Sequence, residues 1–172
     1  MSPFPALPGV YRILFLYLEP TSTFLPFLII WGYPGSNWFY NQLVPGSGDT
    51  RNVLDARTDM ALWHLGNCYF LLALISSCVL RAVRDALRGN PAAQEHIIAA
   101  VFLALGIADL THVGSTIYWL PADLRVSPLK WNATTHGNIT AVVGLFAMRV
   151  AWYLGVGRSR PWTGKEGRKR GI

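Results

Sequence analysis

The stretch that decides the fold is IIAAVFLALGIADLTHVGSTIYWL, residues 97–120, an apolar run with a single acidic residue, Asp109. A helix of about 20 such residues crosses the roughly 30 Å hydrocarbon core of a membrane. Three more apolar stretches of similar length occur at residues 10–32, 60–80 and 138–156. A soluble bundle would need a polar face on each helix, and these stretches show almost none.

The composition of the chain agrees, because 52% of its residues are hydrophobic and only 14% are charged, far from a soluble average. Backbone polar groups in lipid must find partners within their own segment, so each span should be helical. We expect an all-α fold, an integral membrane four-helix bundle that forms a single transmembrane domain over residues 1–172 and ends in a basic tail at 157–172. Pro20 and Pro26 interrupt the first stretch, which is unlike a cleavable signal. Pro20 should also kink the first span beside Glu19.

Basic residues near the span ends predict the orientation, since cytosolic flanks of membrane proteins are richer in Lys and Arg. Ten fall on the side that carries both termini: Arg12, Arg81, Arg84, Arg88, Arg158, Arg160, Lys165, Arg168, Lys169 and Arg170. Four fall on the other side: Arg51, Arg57, Arg125 and Lys130. Both termini are therefore expected in the cytosol. The net charge of +6 then reflects topology and attraction to anionic membrane lipids, and no nucleic-acid partner is expected.

The loops on the side opposite the termini then face the lumen or the exterior. Asn132-Ala133-Thr134 is an N-glycosylation sequon in one of these loops, so Asn132 is expected to be modified. An integral membrane protein with such a lumenal loop is expected in the endoplasmic reticulum.

Two acids lie deep in the predicted spans, Glu19 in the first and Asp109 in the third, where a carboxylate is costly and usually functional. At about 1.5 Å per residue, Glu19 is roughly 14 Å and Asp109 roughly 18 Å from the cytosolic start of its span, so both lie at nearly one level. His112 follows Asp109 by three positions and shares its helix face. Arg149 is roughly 10 Å from the cytosolic end of its span, within reach of Glu19 or of the membrane surface. The other polar candidates are His112, Asn67 near the lumenal end of the second span, and Asn138 near the lumenal start of the fourth.

Two interpretations of these residues remain open. Glu19 and Arg149 could form a structural ion pair between the first and last spans, while Asp109 and His112 make hydrogen bonds between helices. Alternatively, two carboxylates from separate helices could form an acid–base pair, in which one is neutral and donates a proton while the other is ionised and accepts one.

Motifs for several other kinds of chemistry are absent from the sequence. There is no HExxH or CxxC metal motif, no Gly-rich phosphate loop and no GxSxG nucleophile elbow. Kinase, NTPase and serine-hydrolase functions are thereby excluded. The different depths of His64 and His112 disfavour a haem between them, and no metal or cofactor is expected.

Five short segments, in order along nearly the whole chain, resemble small four-span integral membrane proteins of filamentous fungi: Tyr11–Pro20, Asn67–Tyr69, Ala108–His112, Trp131–Asn132 and Gly137–Asn138. Some of these are similar to members encoded in secondary-metabolite pathways, where membrane-bound hydrolases and cyclases open epoxides on polyketide or terpenoid chains. The resemblance implies an epoxide-opening enzyme with an apolar substrate, and neighbouring membrane-bound oxidases as possible partners.

The expected roles follow from this resemblance and from the acid–base interpretation. Asp109 would protonate the epoxide oxygen, and Glu19 would activate water or a substrate hydroxyl for attack at carbon. The residues expected to bind or orient the substrate are Asn67, His112, Asn138 and Arg149. The alternative from another class is a non-catalytic lipid or sterol binder, or an organising subunit for neighbouring membrane oxidases.

Overall fold

Four long apolar helices make up most of the computed structural model, which describes residues 4–46 and 53–158. They run over Val10–Trp31, Ala56–Ala86, Pro91–Trp119 and Ala133–Leu154 and are named spans one to four. Short helices lie between them, at Ser36–Gln42, Ala122–Arg125 and Pro128–Lys130. The predicted all-α four-helix bundle is confirmed, and the length and hydropathy of its helices are those of an integral membrane protein.

Both ends of the described chain lie at one end of the bundle, called the terminal end. The Tyr11 hydroxyl donates to the backbone oxygen of Val156 at 2.7 Å, and the Trp152 indole donates to that of Ala6 at 2.8 Å. The membrane face that the terminal end occupies stays a prediction. Arg51 and the basic residues of 159–172, which contribute to that prediction, lie outside the described residues.

Spans two and three are longer than predicted, because both continue beyond their apolar stretches into capped polar ends. Asp55 precedes span two and accepts hydrogen bonds from the backbone N–H groups of Arg57 at 3.0 Å and Thr58 at 3.2 Å. The Thr58 hydroxyl and these N–H groups hold the pKa of the Asp55 carboxyl below its ordinary value. Asn90 caps span three in the same way, and Pro91 takes its first position, where no N–H is needed.

Three of the spans contain a π-helical turn, at Leu14–Leu18 in span one, Ile75–Val79 in span two and Gly137–Ala141 in span four. Such turns are frequent at functional sites. Pro20 follows the first of them and has no N–H for the carbonyl of Leu16. Arg81 of span two donates to that carbonyl at 3.1 Å. The kink predicted at Pro20 stays a prediction; beside this proline the structure has a π-helical turn and a hydrogen bond between spans one and two.

The spans pack as two antiparallel hairpins, one of spans one and two and one of spans three and four. Spans two and three contact each other mainly near the terminal end, at Leu80–Ala86. An apolar cluster that includes Phe15 and Phe102 fills the terminal end, and a smaller one with Ile30 and Leu62 fills the opposite end. The buried polar residues Glu19, Ser76 and Arg149 lie between these two apolar layers.

Candidate functional site

Arg149 of span four is the centre of a buried charged cluster. Its Nη2 lies 2.9 Å from Oε2 of Glu19 in span one, and its Nη1 donates to Oδ2 of Asp109 in span three. The side chains of Arg149 and Glu19 are 3% and 5% exposed, and that of Asp109 is 14% exposed. Three spans therefore meet in one charged triad, Glu19–Arg149–Asp109.

Aromatic rings hold the Arg149 guanidinium from the terminal end. Its central carbon lies 5.4 Å from the ring centroid of Phe15 and 5.8 Å from that of Phe102. A guanidinium is weakly hydrated and can bind ring faces and carboxylates together. The two rings contact each other with centroids 4.3 Å apart, so they form an apolar layer between the triad and the terminal end.

The carboxylate of Glu19 has a second partner on span two. The Ser76 hydroxyl donates to Oε1 of Glu19 at 3.1 Å, and Ser76 is 2% exposed. Glu19 directly follows the π-helical turn of span one, and Ser76 lies within that of span two. With Asp109 and Arg149, each of the four spans contributes one side chain to this network.

The charges of the triad do not cancel when both carboxyls are ionised. An arginine stays protonated in proteins, so Arg149 neutralises one carboxylate and leaves one negative charge in excess. An uncompensated buried charge is strongly unfavourable. One added proton, shared by Glu19 and Asp109, makes the triad neutral and leaves it with one acid and one base.

A cavity of about 520 Å³, called the triad cavity, lies against Glu19, Arg149 and Asp109, and all three line it. The rest of its wall is mostly aliphatic, with a few hydroxyl groups and one histidine. Its other large lining residues are Tyr69, Leu72, Leu105, His112, Val142 and Leu145. The triad is thus the charged part of a mostly apolar cavity.

Two further cavities adjoin the triad cavity. One of about 360 Å³ lies toward the end opposite the termini, shares Tyr69 and His112 with the triad cavity, and includes Asn138. The other, also about 360 Å³, is a groove between spans one and four that reaches Glu19. Leu145 lines all three cavities and therefore lies at the junction between them.

The chain matches a known protein family along almost its whole length. A profile of DUF7704, described as a domain of unknown function, matches residues 4–159. The chain belongs to the DUF7704 family. Comparisons with curated proteins and with solved structures give no significant match. The four apolar spans agree with a small membrane protein family, and membership of this family leaves the reaction open.

Most of the predicted site residues of this DUF7704 chain meet in one place. The triad cavity brings together Glu19, Asp109, His112 and Arg149, and the adjoining cavity holds Asn138.

Asn67 is the exception, because it is exposed on span two and lines none of the three cavities. Successive helical residues are rotated by about 100°, so Asn67 points roughly 200° away from Tyr69, which lines the triad cavity. The expectation that Asn67 belongs to the site is therefore corrected: the structure places it outside.

Two residues that the sequence did not single out belong to the site. Tyr69 lines both the triad cavity and its neighbour, and Ser76 binds Glu19. Tyr69 lies within the Asn67–Tyr69 segment that carries the family resemblance, so this segment could have identified Tyr69 as a site residue. Nothing in the sequence distinguished Ser76 from Ser77, because the π-helical turn decides which of the two faces the interior.

Metal-ligand side chains do not cluster within residues 4–46 and 53–158, where no group of three His, Cys, Asp or Glu could hold an ion. Cys68 and Cys78 are both free and exposed on span two. The carboxyls and the histidine of the triad cavity can each donate or accept a proton.

Asn132, the predicted glycosylation site, uses both ends of its side-chain amide. Its Oδ1 accepts from the N–H of Thr135 at 2.8 Å and caps the start of span four. Its Nδ2 donates to the backbone oxygen of Gln42 at 2.9 Å. Asn132 thus joins the short helix Ser36–Gln42 to span four. Its glycosylation stays a prediction, and the sugar would have to be attached before this packing forms.

Proposed function

We propose that this chain is a membrane-bound hydrolase or cyclase that opens an epoxide on an apolar polyketide or terpenoid intermediate, in the endoplasmic reticulum of a filamentous fungus. One observation carries the chemical part of the proposal: two carboxylates held by one arginine line an apolar cavity. The resemblance of segments such as Ala108–His112 to membrane proteins of secondary-metabolite pathways supports the substrate class and the source.

Asp109 acts as the general acid in this proposal. It lines the triad cavity and is the more accessible carboxyl, with 14% of its side chain exposed against 5% for Glu19. Protonated Asp109 donates to the epoxide oxygen while the carbon–oxygen bond breaks, which neutralises the developing alkoxide. A neutral acid at this position also removes the excess negative charge of the triad.

Glu19 acts as the general base. Arg149 at 2.9 Å and Ser76 at 3.1 Å hold its two oxygens and fix its orientation. It takes the proton of the attacking water or substrate hydroxyl while the new carbon–oxygen bond forms. Water gives a diol, and an internal hydroxyl gives a cyclic ether. Asp109 has then lost the proton that Glu19 has gained, and one proton transfer between the two carboxyls restores the starting state.

The remaining polar residues bind and orient the substrate. Arg149 fixes the spacing of the two carboxylates through both terminal nitrogens. Tyr69 and His112 lie where the triad cavity meets its neighbour and can donate hydrogen bonds to the substrate oxygen. Asn138 lines only the adjoining cavity, so it contacts a part of the substrate that is distant from the epoxide.

The dimensions of the cavities fit a small organic substrate. Binding sites for such molecules usually enclose about 300–1,000 Å³ and have mostly apolar walls. The triad cavity of about 520 Å³ and the adjoining cavity of about 360 Å³ lie in this range. An extended polyketide or terpenoid chain could occupy both, with its epoxide at the triad.

Deletion of the gene followed by metabolite profiling tests this function. The deletion strain should accumulate an epoxide and lose the corresponding diol or cyclic ether, and wild-type protein should restore the product. Complementation with Asp109→Asn at equal abundance should not restore it. An unchanged metabolite profile after deletion would contradict the enzyme, and lipid or sterol copurifying with the protein would then favour the non-catalytic binder.

A further inference from the structure

The triad cavity reaches the surface of the bundle in the gap between spans two and three. Ala108, Thr111 and Ser115 of span three line the cavity and are exposed, and Leu72 of span two is part of the same wall. The two spans contact each other mainly at Leu80–Ala86, near the terminal end. They therefore leave an opening beside the triad, on the side of the triad that is farther from the termini. We call it the side opening.

The edge of this opening is suited to lipid. The hydroxyls of Thr111 and Ser115 both donate to backbone oxygens of their own helix, Thr111 to Ala108 at 3.0 Å and Ser115 to His112 at 3.0 Å. Polar groups whose hydrogen bonds are satisfied locally can face hydrocarbon at low cost. Ala108 adds only a methyl group, so the edge of the opening is formed by small side chains.

The depth of the triad limits what can reach it through this opening. Asp109 is ten residues from the end of span three at Trp119, or about 15 Å at 1.5 Å per residue. That distance is about half of a hydrocarbon core of roughly 30 Å. A charged group attached close to the reacting atoms would have to lie near the centre of the bilayer, which is very unfavourable.

We infer that the triad cavity is open to the bilayer between spans two and three, and that its substrate is a neutral molecule dissolved in the membrane. The reacting oxygen of that substrate lies at least about 15 Å from any charged group it carries. The chemical class of the substrate rests on the proposed function, whereas the side opening rests on the cavity and on the packing of the spans.

A photoreactive phospholipid tests the side opening without any need for turnover. The full chain is reconstituted in phosphatidylcholine vesicles that contain a phosphatidylcholine with a diazirine in the middle of one acyl chain. After irradiation, peptide mass spectrometry locates the adducts. Because the probe cannot leave the bilayer, adducts on Asp109 or Glu19 require that an acyl chain enters the triad cavity from the side. A water-soluble diazirine, used in parallel, should leave both carboxyls unlabelled.

Matched variants of span three sharpen the test. Ala108→Leu should narrow the opening and reduce adducts on the triad by about tenfold, which corresponds to ~1.4 kcal/mol. Ala100→Leu makes the same change at an exposed position of the same span that does not line the cavity, and it should leave the labelling unchanged. Gel filtration of each purified variant confirms that it is folded.

Three results would overturn the inference: labelling of the outer surface without any on the triad, equal labelling of folded Ala108→Leu and wild type, or labelling of the triad by the water-soluble probe. Gly144 lines the groove between spans one and four, and a Cβ at this position has no neighbour within 4 Å apart from the adjacent backbone of its own helix. If only Gly144→Leu lost the labelling, the acyl chain would enter through that groove, and the inference would likewise be overturned. If the triad is labelled as expected but deletion of the gene leaves all epoxides unchanged, the proposed reaction fails and the side opening stands.

Discussion

Glu19 and Asp109 lie on different spans and bind the two terminal nitrogens of one guanidinium, that of Arg149. Their protonation is therefore coupled, because a proton on either carboxyl changes the charge that acts on the other. With a single proton, the triad is neutral and contains one acid and one base. This combination is what acid–base chemistry at membrane depth requires.

Asp109→Asn and Glu19→Gln should each abolish most of the activity. Both variants keep the size and most hydrogen bonding of the side chain but remove a titratable proton, so the rate per folded molecule should fall on the order of 10²–10⁴-fold. Because Asp109 also binds Arg149, Glu19→Gln still leaves the arginine one carboxylate partner and should fold. The measurement is product formation in membranes, divided by the amount of folded protein.

Glu95→Gln is the matched control for these two variants. Glu95 of span three forms a separate buried ion pair with Arg158 at 2.7 Å, with side chains 6% and 2% exposed. Breaking this pair should lower the amount of folded protein and leave the rate per folded molecule unchanged. Full product formation by both Asp109→Asn and Glu19→Gln at normal abundance would rule out the proposed mechanism.

The depth of the site residues could be predicted from the sequence, whereas their rotation about the helix axes could not. A rise of 1.5 Å per residue places Glu19 and Asp109 at nearly one level, and the structure brings them to one cavity. The rotation of Glu19 about the axis of span one depends on the π-helical turn at Leu14–Leu18, which has no clear sequence signature. The sequence indicated Asn67 on span two, whereas Tyr69 and Ser76 are the polar residues of that span that line the triad cavity or bind Glu19.

The contact between Arg149 and Asp109 could not be predicted from the sequence either. Counting from the span ends placed Arg149 within reach of Glu19, and the 2.9 Å ion pair agrees with that expectation. A long side chain near a span end can equally extend to the membrane surface, and its inward direction depends on the packing of Phe15 and Phe102. A second carboxylate partner follows only from the three-dimensional arrangement.

The orientation of the bundle is a separate prediction, based on ten basic residues on the side of the termini and four on the other. A tag at the C-terminus should be digested by protease in sealed microsomes without detergent, since the predicted topology places it in the cytosol. A tag inserted at residues 47–52, on the other side, should be protected until detergent is added. Protection of the C-terminal tag with digestion of the inserted one would reverse the predicted orientation.

Asn132 should carry an N-linked glycan when the chain is made in microsomes, because the predicted topology places it in the lumen. Thr134→Ala removes the sequon but keeps the hydrogen bonds of Asn132, so it should lose the glycan and retain stability. Asn132→Ala should lose the glycan and also about 1 kcal/mol of stability, since Oδ1 no longer caps span four. Endoglycosidase treatment and thermal denaturation measure the two effects. If the protease assay confirms the lumenal position of this loop, a wild-type chain without glycan would indicate that the bond to Gln42 forms before the sugar can be attached.

The charge balance of the triad gives the last prediction. Arg149→Met leaves Glu19 and Asp109 buried without a cation, so the free energy of unfolding should fall by about 3–5 kcal/mol. Adding Glu19→Gln and Asp109→Asn to Arg149→Met removes every charge of the triad and should recover most of the folded protein, still without activity. Gel filtration after heating in detergent measures the folded fraction, and product formation measures activity. If Arg149→Met were as stable as wild type, the arginine would not be needed to balance the two carboxylates. If the triple variant were active, acid–base chemistry at this triad would be wrong.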